Sequence, residues 1–283
     1  MPLLGIDIGG GSVKVACLDG GQMIWSGQSA SYSKPNAEQL IAAIGNAIGG
    51  QIRIGEPVIA GLCAPGVLDF SKRIITKAVN VPGLTEMTLD ELVRRAIGEN
   101  AKLNWIGSDA VAAAFDAARA NGLIGRVFSL AIGTGVGAAV LDDGKPLLVS
   151  GHSPGHWGQV DVSLPDEEVI GPDGGAGGLE GYIGSAALRK RFGTDDLASP
   201  VAKMAGDAAP VRALVRAIRI GHAIYRPEHV LLLGGIGIHL THLSGEIRKQ
   251  VNQNLTSVAR SGWTLNFGRD TWHAARGAGR LAS

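Results

Sequence analysis

The chain has 283 residues and a mass of 29.1 kDa, enough for one or two domains with a substantial core. Lysine plus arginine number 26 and aspartate plus glutamate 25, so the formal net charge is +1, without the basic excess of a general nucleic-acid binder. Hydrophobic residues at 45% exclude a disordered chain, and no run approaches the roughly 20 apolar residues of a membrane span.

In chain order, Leu3 to Ile8 is a short apolar strand, broken by Gly9-Gly10-Gly11. Asp7 arrives before an apolar leader core could form, so no signal peptide is expected. Val13 to Leu18 follows, then Asp19-Gly20-Gly21 and Gln22 to Trp25, which predicts an antiparallel meander. Pro35 to Ile48 places Leu40, Ile41, Ile44 and Ile48 at helical spacing with proline near the start. Val58 to Cys63 reads as a buried strand. Thr88-Leu89-Asp90-Glu91 is a capping box that opens a helix through Ile97. Leu103 to Ile106 is another strand and Asp109 to Asn121 an alanine-rich helix.

The opening grammar then returns: Val127 to Ile132, Gly133-Thr134-Gly135, Val136 to Leu141, Asp142-Asp143-Gly144, Pro146 to Val149. A constant offset of 123 pairs Gly10 with Gly133, Val13 with Val136, Leu18 with Leu141 and Gly21 with Gly144, a single internal duplication that predicts two similar halves. Beyond it lie a glycine- and proline-rich loop from Leu164 to Gly178, predicted to line a site, and helices over Leu179 to Arg191, Pro210 to Tyr225 and Leu240 to Val258. Val230 to Leu233 is a strand ending in Gly234-Gly235. Strands alternating with helices, opened by antiparallel meanders, predict an α/β fold with mixed sheets. Cys17 and Cys63 both sit in apolar runs and read as buried free thiols, which points to a cytoplasmic protein.

Asp7-Ile8-Gly9-Gly10-Gly11-Ser12-Val13-Lys14 sets a carboxylate at a strand end before a glycine turn. Backbone N–H groups exposed there can cradle phosphate oxygens, and the carboxylate can hold Mg²⁺ through water. Taken alone, the stretch is equally a hairpin turn. Gly133-Thr134-Gly135-Val136-Gly137 is a second such turn and Gly234-Gly235-Ile236-Gly237 a third glycine segment. The first two are neither P-loops, since no G-x-x-x-x-G-K-[ST] occurs, nor Rossmann turns, since a strand follows each. From spacing alone, Ser108-Asp109 reads as a helix N-cap and Glu180 as a first-turn acid favourable to the helix dipole. Lys14 fits a phosphate contact or a solvated strand position. His152 and His156, and His239 and His242, lack acidic or thiolate partners at metal spacing, so no bound transition metal is expected. Arg212, Arg216 and Arg219 recur as a solvated helix face.

Together these segments resemble the ROK group (repressors, open reading frames and sugar kinases) of the actin-like, hexokinase-type phosphotransferases, and the resemblance runs end to end. Leu4 to Gly10 resembles the first phosphate loop, Leu130 to Gly137 the second and Leu231 to Gly237 the adenosine segment. Gly61-Leu62-Cys63-Ala64-Pro65-Gly66 and Asn80-Val81-Pro82-Gly83 resemble substrate-side segments. Ser108-Asp109-Ala110 is similar to the family's Asn-Asp-Ala, whose Asp is the catalytic base, and Leu179-Glu180-Gly181-Tyr182 to the segment whose Glu contacts the sugar. Ala275-Arg276-Gly277-Ala278 resembles the closing helix. Three positions depart from the pattern. Gly155-His156-Trp157-Gly158-Gln159 stands where the family carries Gly-Glu-x-Gly-His, Gly171 to Gly178 lacks the cysteines of the family's zinc loop, and Ser108 replaces Asn.

The resemblance implies two actin-like (ribonuclease H-like) domains, about 1–118 and 119–283, with mixed sheets and an interdomain cleft, the last helix at about 270–282 packing back on the first domain. It implies ATP and Mg²⁺ as cofactors, a sugar as partner and a homodimer; the missing cysteines predict no zinc, and the balanced charge and the lack of a long apolar run predict neither nucleic acid nor membrane. Asp109 would be catalytic. Asp7, Gly9, Gly10, Gly11, Ser12, Lys14, Gly133, Thr134, Gly135, Gly234 and Gly235 would bind the nucleotide; Asn80, Ser108, His156, Gln159 and Glu180 would bind the sugar. The implied function is ATP-dependent phosphorylation of a sugar hydroxyl, with a non-catalytic sugar- or nucleotide-binding regulator as the alternative. The repressor branch itself is not expected, since no helix-turn-helix precedes the first strand, and a nicotinamide dehydrogenase is disfavoured by the strand after each turn.

Overall fold

A computed structural model describes residues 3–52, 56–150, 152, 156–172, 174–256 and 262–283. In chain order the strands and helices begin with β1 (Leu3–Ile8), β2 (Val13–Asp19), β3 (Gln22–Gln28), α1 (Ala37–Ile48), β4 (Val58–Cys63), β5 (Val67–Asp69) and β6 (Ile74–Lys77). Next come α2 (Leu89–Ile97), β7 (Ala101–Gly107), α3 (Asp109–Ala120), β8 (Arg126–Ile132), β9 (Val136–Asp142) and β10 (Lys145–Pro146). Then α4 (Leu179–Ile183), α5 (Ser185–Phe192), α6 (Ala198–Ala202), α7 (Ala209–Tyr225), β11 (His229–Leu233), α8 (Gly234–Gly237), α9 (Ser244–Gln253), β12 (Thr264–Phe267) and α10 (His273–Leu281) complete the chain. They divide into two compact units, one of Met1–Asp116, Ser150–His152 and Trp272–Ser283, the other of Ala117–Val149 and Ser153–Thr271. Among the described residues no helix is long and apolar enough to cross a membrane.

Each unit is built on a five-stranded sheet, ordered β3-β2-β1-β4-β7 in the first and β10-β9-β8-β11-β12 in the second. In both, the two leading hairpin pairs are antiparallel and the two remaining pairs parallel, so each sheet is mixed. The duplication seen in the sequence is structural as well: β2 and β9 both begin and end 123 residues apart. Parallel order brings the C-terminal ends of β1, β4 and β7 to one edge of the first sheet, where Asp7, Cys63 and the start of α3 lie.

In the first unit Leu4, Ile6, Ile8, Val13 and Val15 form one core with Leu40 and Ile44 of α1 and Leu92 and Val93 of α2. Asn36 caps α1: its side chain accepts from Gln39 N–H while the Gln39 side chain accepts from Asn36 N–H. At α2 the Thr88 hydroxyl accepts from Glu91 N–H, the forward half of the expected box. The second unit's core gathers Phe128, Leu130 and Ile132 of β8, Val230 and Leu232 of β11, and Leu214 and Ile218 of α7.

Helix α10 lies on the first sheet at backbone contact. A Cβ on Gly5 of β1 would stand 1.7 Å from Ala275 O, and one on Gly61 of β4 1.9 Å from Ala278 O; a Cβ on Gly277 would stand 1.9 Å from Ala112 O of α3. The helix is held by charge as well. Asp116, 1% exposed, accepts from Arg276 Nε at 2.9 Å and Arg280 Nε at 2.7 Å, with His273 Nδ1 at 2.6 Å.

Several sequence expectations are corrected. The helix expected over Leu179 to Arg191 breaks into α4 and α5 at Gly184, whose backbone is extended. The helix expected over Leu240 to Val258 is a 3-10 segment, Ile238–Leu243, followed by α9, and Val258 lies outside the described residues. The strand expected over Pro146 to Val149 shrinks to β10, and Leu147, Leu148 and Val149 are exposed. The β5–β6 hairpin and β12 were not foreseen, being short runs with mixed exposure.

Candidate active site

In the first unit, Asp7 is paired across the sheet with Lys14 of β2 on one side and Cys63 of β4 on the other. The Cys63 thiol donates to Asp7 Oδ1 at 3.6 Å and also lies 3.8 Å from Ala274 O. Burial, and next the negative charge of Asp109, push the Asp7 carboxyl up to about 7, while Lys14 and the thiol act in the opposite direction. Burial, then the charges of Asp7 and Asp109, raise the Cys63 thiol well above its ordinary value, so it stays protonated and serves as a donor.

The turn after β1 is closed by Gly9 N–H donating to Ser12 O at 3.0 Å, and Tyr32 braces it with its hydroxyl on Gly9 O at 2.7 Å and its N–H on Gly11 O at 2.9 Å. Gly9, Gly10 and Gly11 do not occupy the left-handed region, so their backbone conformation does not require glycine. A Cβ on Gly11 would meet nothing within 4 Å, and one on Gly10 only Asn80 Cβ at 3.6 Å. The turn therefore presents uncovered backbone, with Asn80 exposed beside it. Ser12 Oγ accepts from Gln28 Nε2 at 3.0 Å, and Lys14 Nζ stands 5.7 Å from the centre of the Trp272 ring.

Asp109 is the first residue of α3, not its cap. The cap is Ser108, whose hydroxyl accepts from Val111 N–H at 3.3 Å, so that side chain is committed to the helix. Asp109 keeps an exposed edge, and its Oδ1 accepts from Ala110 N–H at 2.8 Å. Desolvation nevertheless raises its pKa against the lowering effect of the helix-start amides.

In the second unit, Gly133 N–H donates to Gly135 O at 2.9 Å, Ser185 N–H donates to Gly133 O at 3.0 Å, and Thr134 is exposed at the tip. A Cβ on Gly133 would meet nothing within 4 Å. The third glycine segment begins at Gly234, whose φ of +80° and a Cβ position 2.3 Å from Ile132 O admit only glycine, while Gly235 is open. Glu180, in the first turn of α4, does not stand free for a ligand: its Oε2 accepts from Val136 N–H at 3.0 Å. His156 and Gln159 are exposed at the ends of a short turn whose middle residue, Trp157, is buried against Phe128 and Tyr225. Gly155 and Asp173 lie outside the described residues. At the position of the family's zinc loop, Gly171 N–H donates to Gly175 O and Gly177 N–H to Val169 O. Among the described residues no three His, Cys, Asp or Glu side chains group as metal ligands.

The structure thus brings Asp7, Lys14, the first glycine turn, Asn80 and Asp109 together in one unit, and Gly133 to Gly135, Gly158 and Glu180 together in the other. Sequence reasoning missed Tyr32, the Glu180–Val136 bond and the Asp116 cluster. For the last, Arg276 and Arg280 one turn apart were a signal, but their partner lies 160 and 164 residues away.

The family model described as ROK family matches residues 3–278. Among solved structures, the chain is similar to a ROK family glucokinase from Streptomyces griseus in complex with glucose and AMPPNP, at 20% identity over 99% of both chains with a TM-score of 0.75. It is similar to a ROK hexokinase from Thermus thermophilus, at 22% identity over 100% of this chain and 98% of that one, TM-score 0.71. It is also similar to a ROK family transcriptional regulator, a homologue of the E. coli MLC protein, at 17% identity over 99% of this chain and 78% of that one, TM-score 0.71. No sequence match to a curated protein was found.

Proposed function

Because the chain belongs to the ROK family and has its mixed α/β, actin-like fold, we propose that it transfers the γ-phosphoryl group of Mg²⁺·ATP to a hydroxyl of a sugar or sugar derivative. The observation that carries this reading is the placement of Asp7 and Asp109 at the same end of the parallel strands β1, β4 and β7, beside a glycine turn left open at Gly10 and Gly11.

Asp109 would take the proton of the acceptor hydroxyl as its oxygen attacks phosphorus. The new O–P bond forms while the bond to the β-phosphate oxygen breaks, and ADP leaves with that electron pair. Partial desolvation raises the basicity of the Asp109 carboxylate, which suits it to that task. Asp7 fits a divalent cation: burial, and next the charge of Asp109, raise its carboxyl to about 7, and a bound cation would offset both. Bound with the nucleotide, Mg²⁺ would neutralise charge on the phosphate oxygens. Open backbone at Gly10 and Gly11, with Lys14, would hydrogen-bond or attract those oxygens. Ser12, Gly9, Thr134, Gly135, Gly234 and Gly235 belong to the same nucleotide-side segments.

On the acceptor side, the exposed Asn80, His156 and Gln159 would position the sugar. A carboxylate at position 156 would accept from two vicinal hydroxyls, whereas a neutral imidazole offers one donor and one acceptor. This favours a sugar that presents an acceptor or a negative charge there. A second reading, a binding regulator, is favoured by one observation: Ser108 and Glu180 are both engaged by backbone amides rather than left for a ligand. ATP consumption measured against hexoses, amino sugars, polyols and sugar acids separates the two. Sugar-dependent ADP formation supports the kinase; binding of sugar or ADP without turnover across the panel overturns it in favour of the regulator.

A further inference from the structure

The hydrogen-bond pattern around the second glycine turn shows a need that the strand ladder leaves unmet. In an antiparallel pair, N–H groups alternate between facing the partner strand and facing away. Gly133 N–H donates to Gly135 O, so the next pair out, Ile132 and Val136, is a non-hydrogen-bonded pair and Val136 N–H points away from β8. Strand β10 does not reach it, pairing with β9 only at Leu141 and Asp142. Val136 is 7% exposed, so without an acceptor its N–H would be buried and unpaired.

The first unit meets the same need at the same place. Gly9 N–H donates to Ser12 O, Ile8 pairs with Val13, and Val13 N–H, 123 residues before Val136, donates to Ser29 Oγ at 3.0 Å. In the second unit the acceptor is Glu180 Oε2, also at 3.0 Å. Three glycines make the room. A Cβ on Gly135 would stand 2.6 Å and one on Gly158 2.7 Å from Glu180 Oε2, and one on Gly184 2.7 Å from Glu180 O.

We infer that Glu180 is a positioning residue of the second glycine turn: it holds the turn's exit through Val136 N–H and thereby sets nucleotide affinity. The affinity part rests on the nucleotide reading above; the hold on the turn does not. What the turn requires is an acceptor, not a charge, as the neutral Ser29 in the first unit shows. A carboxylate beside a phosphate-binding turn adds nothing favourable to an anionic ligand.

The test uses amide exchange at Val136 in the ligand-free full chain, and the Kd for ADP·Mg²⁺, in wild type, Glu180→Gln, Glu180→Ala and Gly158→Ala. The last variant keeps Glu180 but thrusts a methyl group at its carboxylate. Glu180→Ala and Gly158→Ala are expected to accelerate Val136 exchange by about tenfold or more and to weaken ADP·Mg²⁺ by about tenfold. Glu180→Gln, which keeps the acceptor, should stay within about threefold of wild type in exchange and bind ADP·Mg²⁺ at least as tightly. Unchanged exchange in Glu180→Ala overturns the inference, as does an ADP affinity indifferent to all three substitutions. A wild type that binds no ADP overturns the nucleotide reading instead, and exchange still decides whether Glu180 holds the turn.

Discussion

Asp7 carries a cost in the free protein that its replacement should reveal. Its carboxyl is raised from 3.8 to about 7, chiefly by burial and then by the charge of Asp109. A carboxyl with a raised folded pKa holds its proton more tightly when folded. Its contribution is therefore most favourable below the unfolded value and is lost as pH rises through the folded one. A tenfold difference in proton affinity between the folded and unfolded chain corresponds to about 1.4 kcal/mol. Between pH 5 and pH 8 wild type should accordingly lose about 2 kcal/mol through this group, after discounting for the partial solvent access of the side chain. Asp7→Asn removes the titration, retains an oxygen to accept from Cys63, and should escape the loss. Urea unfolding of both proteins at pH 5 and pH 8, in chelator so that no divalent cation intervenes, measures it. The stability difference in favour of Asp7→Asn should widen by that amount as pH rises. A difference that is flat or narrows with pH would refute the electrostatic account of this carboxylate.

Three other outcomes are expected. Asp116→Ala leaves Arg276 and Arg280 without their buried carboxylate, so it should destabilise the protein by about 3–5 kcal/mol, read as a fall in the urea midpoint. Gly61→Ala places a methyl group 1.9 Å from Ala278 O, and because that neighbour is backbone the cost should reach about 3 kcal/mol, read by thermal unfolding. His156→Glu should lower KM for neutral hexoses relative to sugar acids, and steady-state kinetics on both classes check the direction.

The parts of this fold legible in the sequence are those governed by local rules. Strands β1, β2, β8 and β9 announce themselves by apolar runs between glycine turns, and the 123-residue offset survives into the structure because equal spacing preserves register. The split between α4 and α5 was hidden. Glycine is tolerated inside a helical pattern, so nothing local marks Gly184, whose extended backbone ends α4 and opens α5. The candidate site was legible as residue types and illegible as partnerships. Ser108 looked like a ligand or a cap, and only geometry gives its hydroxyl to Val111. Glu180 and Val136 are 44 residues apart, and no periodicity links a helix acid to a strand amide at that distance.

The measurement that tests the central claim most directly compares wild type with Asp109→Asn, following transfer of labelled γ-phosphate from ATP to the best sugar acceptor alongside ADP·Mg²⁺ affinity. The account predicts that Asp109→Asn loses about 10²–10⁴-fold in turnover while ADP binding stays within about threefold, because the carboxylate accepts the hydroxyl proton and does not hold the nucleotide. Turnover preserved in Asp109→Asn, with a true acceptor in hand, would contradict it.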